Sequence, residues 1–129
     1  PLTETNMHIA LDIDGTITEA PQFFSLLTRT LRGARVTVVS FRQDDVEARR
    51  LLTELDIRYD TLVLINDPEL GNRDEPWEAW KAGLVARLGV DVFFEDMPEV
   101  VRLVRAPTKV FMPCDQSMRE WLSLCVDRV

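Results

Sequence analysis

Histidine occurs once in this chain, at His8, and cysteine only twice, at Cys114 and Cys125. A single histidine excludes any mechanism that needs a histidine pair or a histidine-rich metal site. The two cysteines fit no metal-ligand spacing and read as reduced, mostly buried thiols of a cytoplasmic protein. Basic residues are also in deficit: 15 Lys and Arg stand against 22 Asp and Glu, a net charge of −7. Nucleic acids and anionic membranes are gripped by clustered Lys and Arg, so this balance weighs against both. It leaves room for a small anion held by a metal and a few local cations. No apolar run is long enough to cross a bilayer, and the N-terminus lacks a basic-then-apolar signal pattern. Internal repeats, low-complexity tracts and linkers are missing too.

What is present is enough for one core: 129 residues, 46% of them hydrophobic, suit a single domain over 1–129. Residues 1–6, PLTETN, read as a flexible tail. Beyond them, short apolar runs alternate with amphipathic stretches. MHIALDI (7–13), RVTVVSF (35–41), TLVLI (61–65), DVFFE (91–95) and TKVFM (108–112) read as strands. Most are nearly continuous in Val, Ile, Leu and Phe, as expected of strands covered on both faces. Helical spacing of apolar residues places helices over roughly 43–56 and 75–88. Phe23, Phe24, Leu27 and Leu31 mark a first helix, and Met118, Trp121, Leu122 and Cys125 a last one. Gly33 and Gly89 stop helices ahead of strands. The alternation predicts an α/β, three-layer Rossmann-like fold around a five-stranded, mostly parallel sheet with right-handed crossovers. In such folds the loops after the strands form the ligand crevice, which makes NDPELGNRDEP (66–76) a candidate wall.

The first strand ends in ALDIDGTIT. Asp12 and Asp14 are two residues apart, so on an extended backbone both side chains point to one face. Adjacent carboxylates repel, and a divalent cation with a preference for oxygen, such as Mg²⁺, resolves that repulsion. Gly15 permits a sharp exit that turns backbone N–H groups towards an anion, and Thr16 adds a hydroxyl. Taken alone, Asp14-Gly15 reads equally as a turn dipeptide. Ser40 ends the second strand, Lys81 precedes the fourth, and Glu95 and Asp96 end the fourth. Each has an ordinary reading by itself: a strand-end hydrogen bonder, a solvated helix residue, caps of a helix near Pro98. All of them in order at one sheet edge is a different matter.

This ordered set resembles the haloacid dehalogenase-like (HAD) phosphohydrolase superfamily across essentially the whole chain. ALDIDGTIT is similar to its first motif, VVSF to its second, Lys81 to its third and FFEDMPE to its fourth. The resemblance implies a sheet order of 5-4-1-2-3, with Asp12 as a nucleophile that forms an aspartyl-phosphate and Asp14 as general acid and base. It implies Mg²⁺ held by the Asp12 carboxylate, the Asp14 carbonyl and Asp96, with Glu95 close by or acting through water. Ser40 and Lys81 would hold the phosphoryl oxygens, with Gly15 and Thr16 beside them. Arg42 and Arg73 are alternative cations, because Lys81 falls well inside its helix if Asp74 caps it; Arg42 could also contact substrate.

Neither gap between the motifs can hold a cap domain, so the site is expected to be open. The substrate would be a phosphomonoester, either a small molecule or a phosphate on a larger one, or the site would be closed by homo-oligomer formation. Ile17, Glu19, Phe23, Arg42, Asn72, Arg73 and Trp77 are local candidates for substrate contact, with Phe23 and Trp77 reading first as core. Three rivals stay open. A phosphotransferase of the same superfamily would need water excluded by a cap. A receiver-like signalling module would lack the base at Asp14. An inert module would bind Mg²⁺ or a partner without turnover.

Overall fold

The computed structural model describes residues 6–127, and of the side chains in the last helix it describes those up to Ser123. The expected tail therefore falls, but for Asn6, outside the described residues, as does the side chain of Cys125. Five strands, β1 (His8–Leu11), β2 (Arg35–Ser40), β3 (Thr61–Leu64), β4 (Val92–Phe94) and β5 (Lys109–Phe111), form one sheet in the order β3-β2-β1-β4-β5. Every pairing is parallel. Five helices connect and follow them: α1 (Pro21–Thr30), α2 (Asp45–Glu54), α3 (Trp77–Arg87), α4 (Pro98–Val101) and α5 (Gln116–Asp127). The architecture is the expected Rossmann-like one, and among the described residues no cap interrupts it.

The continuous apolar strands are buried because both faces are covered. On one face Leu11, Val36, Val38 and Leu62 pack with Phe24 of α1 and with Ala48 and Leu52 of α2. On the other, Ala10, Val39, Val63 and Phe93 pack under Trp80, Leu84 and Val85 of α3 and Val100 of α4. Local signals set the helix ends. The Asp44 carboxylate accepts a hydrogen bond from the Glu47 N–H at 3.0 Å, an N-cap that starts α2. Gly89, at φ +66°, turns the chain out of α3 into β4.

Each sequence-read strand is shorter in the structure by one to three residues, at both ends of the first, fourth and fifth runs and at the last position of the second and third. Several apolar residues depart from the expected burial, Phe111 of β5 and Leu122 of α5 among them. Phe23 and Trp77, read as core, are 51% and 39% exposed, and Trp121 of α5 is 51% exposed. Phe23 looks along α1 to the sheet edge, where its ring meets Phe94 at 6.4 Å and Phe94 meets Phe111 at 5.4 Å. Trp77 is the first residue of α3, before a full turn exists to bury it.

His8 is a buried polar group with its partners in place. Its Nδ1 lies 3.1 Å from the Leu88 carbonyl, which can only accept, so Nδ1 carries the proton. Nε2, 2.7 Å from Thr37 Oγ1, then accepts from the hydroxyl. Burial holds its pKa below the ordinary imidazole value. A depressed histidine contributes stability that is complete above the unfolded-state value, about 6.5, and is lost as pH falls through the folded-state value. Urea denaturation at pH 8 is expected to show His8→Gln weaker than the wild type by about 1 kcal/mol, one net hydrogen bond. At pH 5 the gap should close; a gap that widens would refute the neutral assignment.

Candidate functional site

The parallel register brings the candidate residues to one rim. Leu11 of β1 is paired with Val38 of β2 and with Phe94 of β4. The ladder runs one step further, since the Asp12 N–H donates to the Phe94 carbonyl at 3.1 Å and the Glu95 N–H to the Phe111 carbonyl at 3.2 Å. Asp12 and Glu95 therefore emerge side by side, with Ser40 at the end of the neighbouring strand. Asp12, Ser40 and Glu95 are all buried.

Lys81 joins them from α3 and is fully buried. Asp74 does not cap that helix; Pro76 occupies the cap position and the first turn starts at Trp77. Lys81 is thus the fifth helical residue, and its Nζ reaches Asp12 Oδ1 at 2.5 Å and Glu95 Oε1 at 2.7 Å. Nζ also sits 4.3 Å from the centre of the Phe41 ring, a cation–π contact that no candidate reading included. The signal for Phe41 was its place between Ser40 and Arg42.

Thr16 Oγ1 lies 3.1 Å from Asp12 Oδ2 and 3.4 Å from Asp96 Oδ1, so one hydroxyl stands between the two carboxylates. Gly15 is required there: at φ +83° it already disfavours a side chain, and a methyl built on it would collide with the Asp96 carboxylate. Glu95 Oε2 accepts from the N–H groups of Asp96 and Met97 at 3.0 and 3.1 Å, which fixes the turn after β4.

Asp14 departs from the expected arrangement. β1 ends at Leu11, residues 13–16 form a turn, and the Asp14 side chain is 60% exposed. Arg42 clasps it through both oxygens, Nε to Oδ2 at 2.9 Å and Nη2 to Oδ1 at 2.8 Å. That bond holds the Asp14 carboxyl below the usual carboxylate range. The Arg42 N–H donates to Ser40 Oγ at 3.0 Å, which ties the clasp to the strand end.

Of the local contact candidates, Ile17 belongs to the core, Asn72 and Arg73 bond within their own loop, and Glu19 is exposed at the rim. Arg73 donates to the Pro68 carbonyl at 2.7 Å, so Lys81 alone of the three cations reaches Asp12.

Carboxylate oxygens of Asp12, Glu95 and Asp96 lie within 4.8 Å of one another. With all three ionised, the carboxylates against one ammonium would leave two formal negative charges in a mostly buried place. Burial pushes Asp12 up to about 8 against the pull of Lys81, with Glu95 adding to the rise, and it pushes Glu95 up as well. Glu95 Oε1 is buried without a well-aligned hydrogen bond, although Lys81 Nζ is within ion-pair distance. A hard divalent cation fits every part of this: oxygen donors, the missing two charges and the orphaned oxygen. Mg²⁺ is expected to raise the thermal unfolding midpoint in proportion to the logarithm of its concentration once above Kd, and Glu95→Gln to reduce that rise. An unchanged midpoint at millimolar Mg²⁺, read by differential scanning fluorimetry, would remove the metal from this site.

No protein-family model and no curated protein sequence matches this chain. Solved structures do share its fold. A chain of the Pnkp1/Rnl/Hen1 RNA repair complex aligns over 87% of this protein with a TM-score of 0.61 and 16% identity. A chain from another structure of the Pnkp1/Rnl/Hen1 complex aligns over 88%, with a TM-score of 0.62 and 18% identity. This protein spans 45% and 47% of the lengths of those chains. The likeness is one of fold. It places the same α/β topology in a component of an RNA repair assembly.

Proposed function

We propose that the protein is a HAD-like, Mg²⁺-dependent phosphohydrolase acting on a phosphomonoester, with 1–129 as its catalytic core domain. The observation that carries this is the convergence of Asp12, Glu95, Asp96, Ser40 and Lys81, drawn from four separate elements, on one rim.

The chemistry follows from the groups present. A carboxylate oxygen of Asp12 attacks phosphorus and the bond from phosphorus to the ester oxygen breaks; Asp14, released by Arg42 as substrate binds and protonated from solvent, gives its proton to that leaving oxygen. Water then attacks the phosphorus of the aspartyl-phosphate and loses a proton to Asp14, which releases inorganic phosphate and restores Asp12. Ser40 and Lys81 hold the phosphoryl oxygens through both steps. Thr16 keeps Asp12 aligned. Asp12, Asp96, Glu95 and the Asp14 carbonyl would hold Mg²⁺, whose charge offsets that of the phosphoryl group. An arriving phosphoryl dianion offers Arg42 the same two-oxygen target that Asp14 occupies, so substrate binding draws the Arg42 fork from one to the other.

A panel of phosphomonoesters, with and without Mg²⁺, tests the reading. Phosphate release that chelation abolishes is expected. Mg²⁺ binding with no release from any ester would leave a metal-binding module without turnover. Arg42→Ala should weaken kcat/KM by about 10- to 100-fold, mostly through KM, for the loss of a charge-assisted bidentate contact of 1.5–3 kcal/mol. Arg42→Lys should recover little of it, because an ammonium cannot reproduce the fork.

A further inference from the structure

A cavity of about 600 Å³ opens beside the candidate centre, on the β4–β5 side. Gly15 and Asp96 form the end nearest the centre, and Thr16 links Asp96 to Asp12 there. Ala20, Pro113 and Met118 give it apolar walls, and Glu19 and Asp115 stand on it as exposed acids. Its volume is that of a small-molecule site. A second groove of about 560 Å³ shares Asp115 and Met118 with it and adds Glu99, another acid. Among the described residues, no lysine or arginine lines either. Arg119 stands beside the cavity, its Nη1 donating to the Cys114 carbonyl at 2.9 Å.

The charges of the rim are therefore divided. Lys81, Arg42 and Ser40, the groups suited to a phosphoryl dianion, lie towards β2 and α3. The acids and the apolar walls lie towards β5. For a substrate with its phosphoryl group at Asp12, this cavity lies where the rest of the ester can extend, and its acids repel a second anion. Resting on the phosphohydrolase reading of the centre, we infer that this cavity is the subsite for the organic part of the ester, and that it takes a compact, partly apolar group that is neutral or cationic. Phosphate esters bearing a further carboxylate or phosphate are selected against.

Three esters of similar size test this: phosphocholine, propyl phosphate and phosphoglycolate. Binding is measured by calorimetry with Mg²⁺ on the Asp12→Asn protein, which holds ester without turnover, and again on the wild type in EDTA. Phosphocholine should bind at least about tenfold more tightly than phosphoglycolate, with propyl phosphate between them. The double charge reversal Glu19→Lys with Asp115→Lys should invert that order. Equal affinities, a preference for phosphoglycolate, an order the reversal leaves untouched, or no binding of any ester would each overturn the subsite. If the order holds while the wild type releases no phosphate from these esters or from p-nitrophenyl phosphate, hydrolysis falls and the subsite stands.

Discussion

Asp12→Asn is expected to reduce phosphate release by about 10⁴-fold or more, the scale of losing a nucleophile, while the protein stays folded. The amide is nearly isosteric and can still accept from Lys81 or Thr16. Removing the carboxylate also removes one of three crowded negative charges, leaving Lys81 paired with Glu95 at 2.7 Å. The metal-free variant should therefore melt no lower than the metal-free wild type, and Mg²⁺ should raise its midpoint less. Phosphate release and thermal melts on the same preparation read both effects. Turnover near wild type would remove Asp12 as nucleophile; a collapsed melt would show that the carboxylate serves the fold.

Lys81→Met is expected to act in the opposite sense on stability. Lys81 is fully buried and, among the described residues, is the one cation paired with both Asp12 and Glu95. Methionine fills the aliphatic volume but leaves buried carboxylates uncompensated, which costs about 3–5 kcal/mol. A divalent cation supplies part of the missing charge, so the loss measured in EDTA should exceed the loss measured in Mg²⁺. Denaturant melts under the two conditions decide it. Equal losses would mean that Lys81 and the metal do not share one charge balance, and no loss at all would mean that the carboxylates are protonated as the protein stands.

Much of this was legible in the sequence, for reasons that differ from element to element. The topology came through because buried parallel strands are nearly continuous apolar runs and the helices between them carry a 3.6-residue period. Asp12, Glu95 and Asp96 stood out because charged groups at the ends of buried strands have few structural uses, and Lys81 only through its place in the ordered set. The environment of Asp14 did not come through, because it depends on where β1 stops. An extended chain to residue 13 puts Asp12 and Asp14 on one face; a strand ending at Leu11 sends Asp14 to Arg42, 28 residues away. The burial of Phe23, Trp77 and Trp121 was misjudged for a related reason. Apolar periodicity tells which face of a helix is greasy, but it does not say whether anything lies opposite. The start of α3 at Trp77, which brings Lys81 within reach, was likewise hidden among the polar residues of the preceding loop.

All the candidate chemistry sits where the five strands end, at the rim opposite the one where they begin. The turn around Gly33, between α1 and β2, lies a strand length from Asp12, about 13 Å for four residues. A dye, a surface tether or an affinity handle attached there would report on this molecule without crowding its working end.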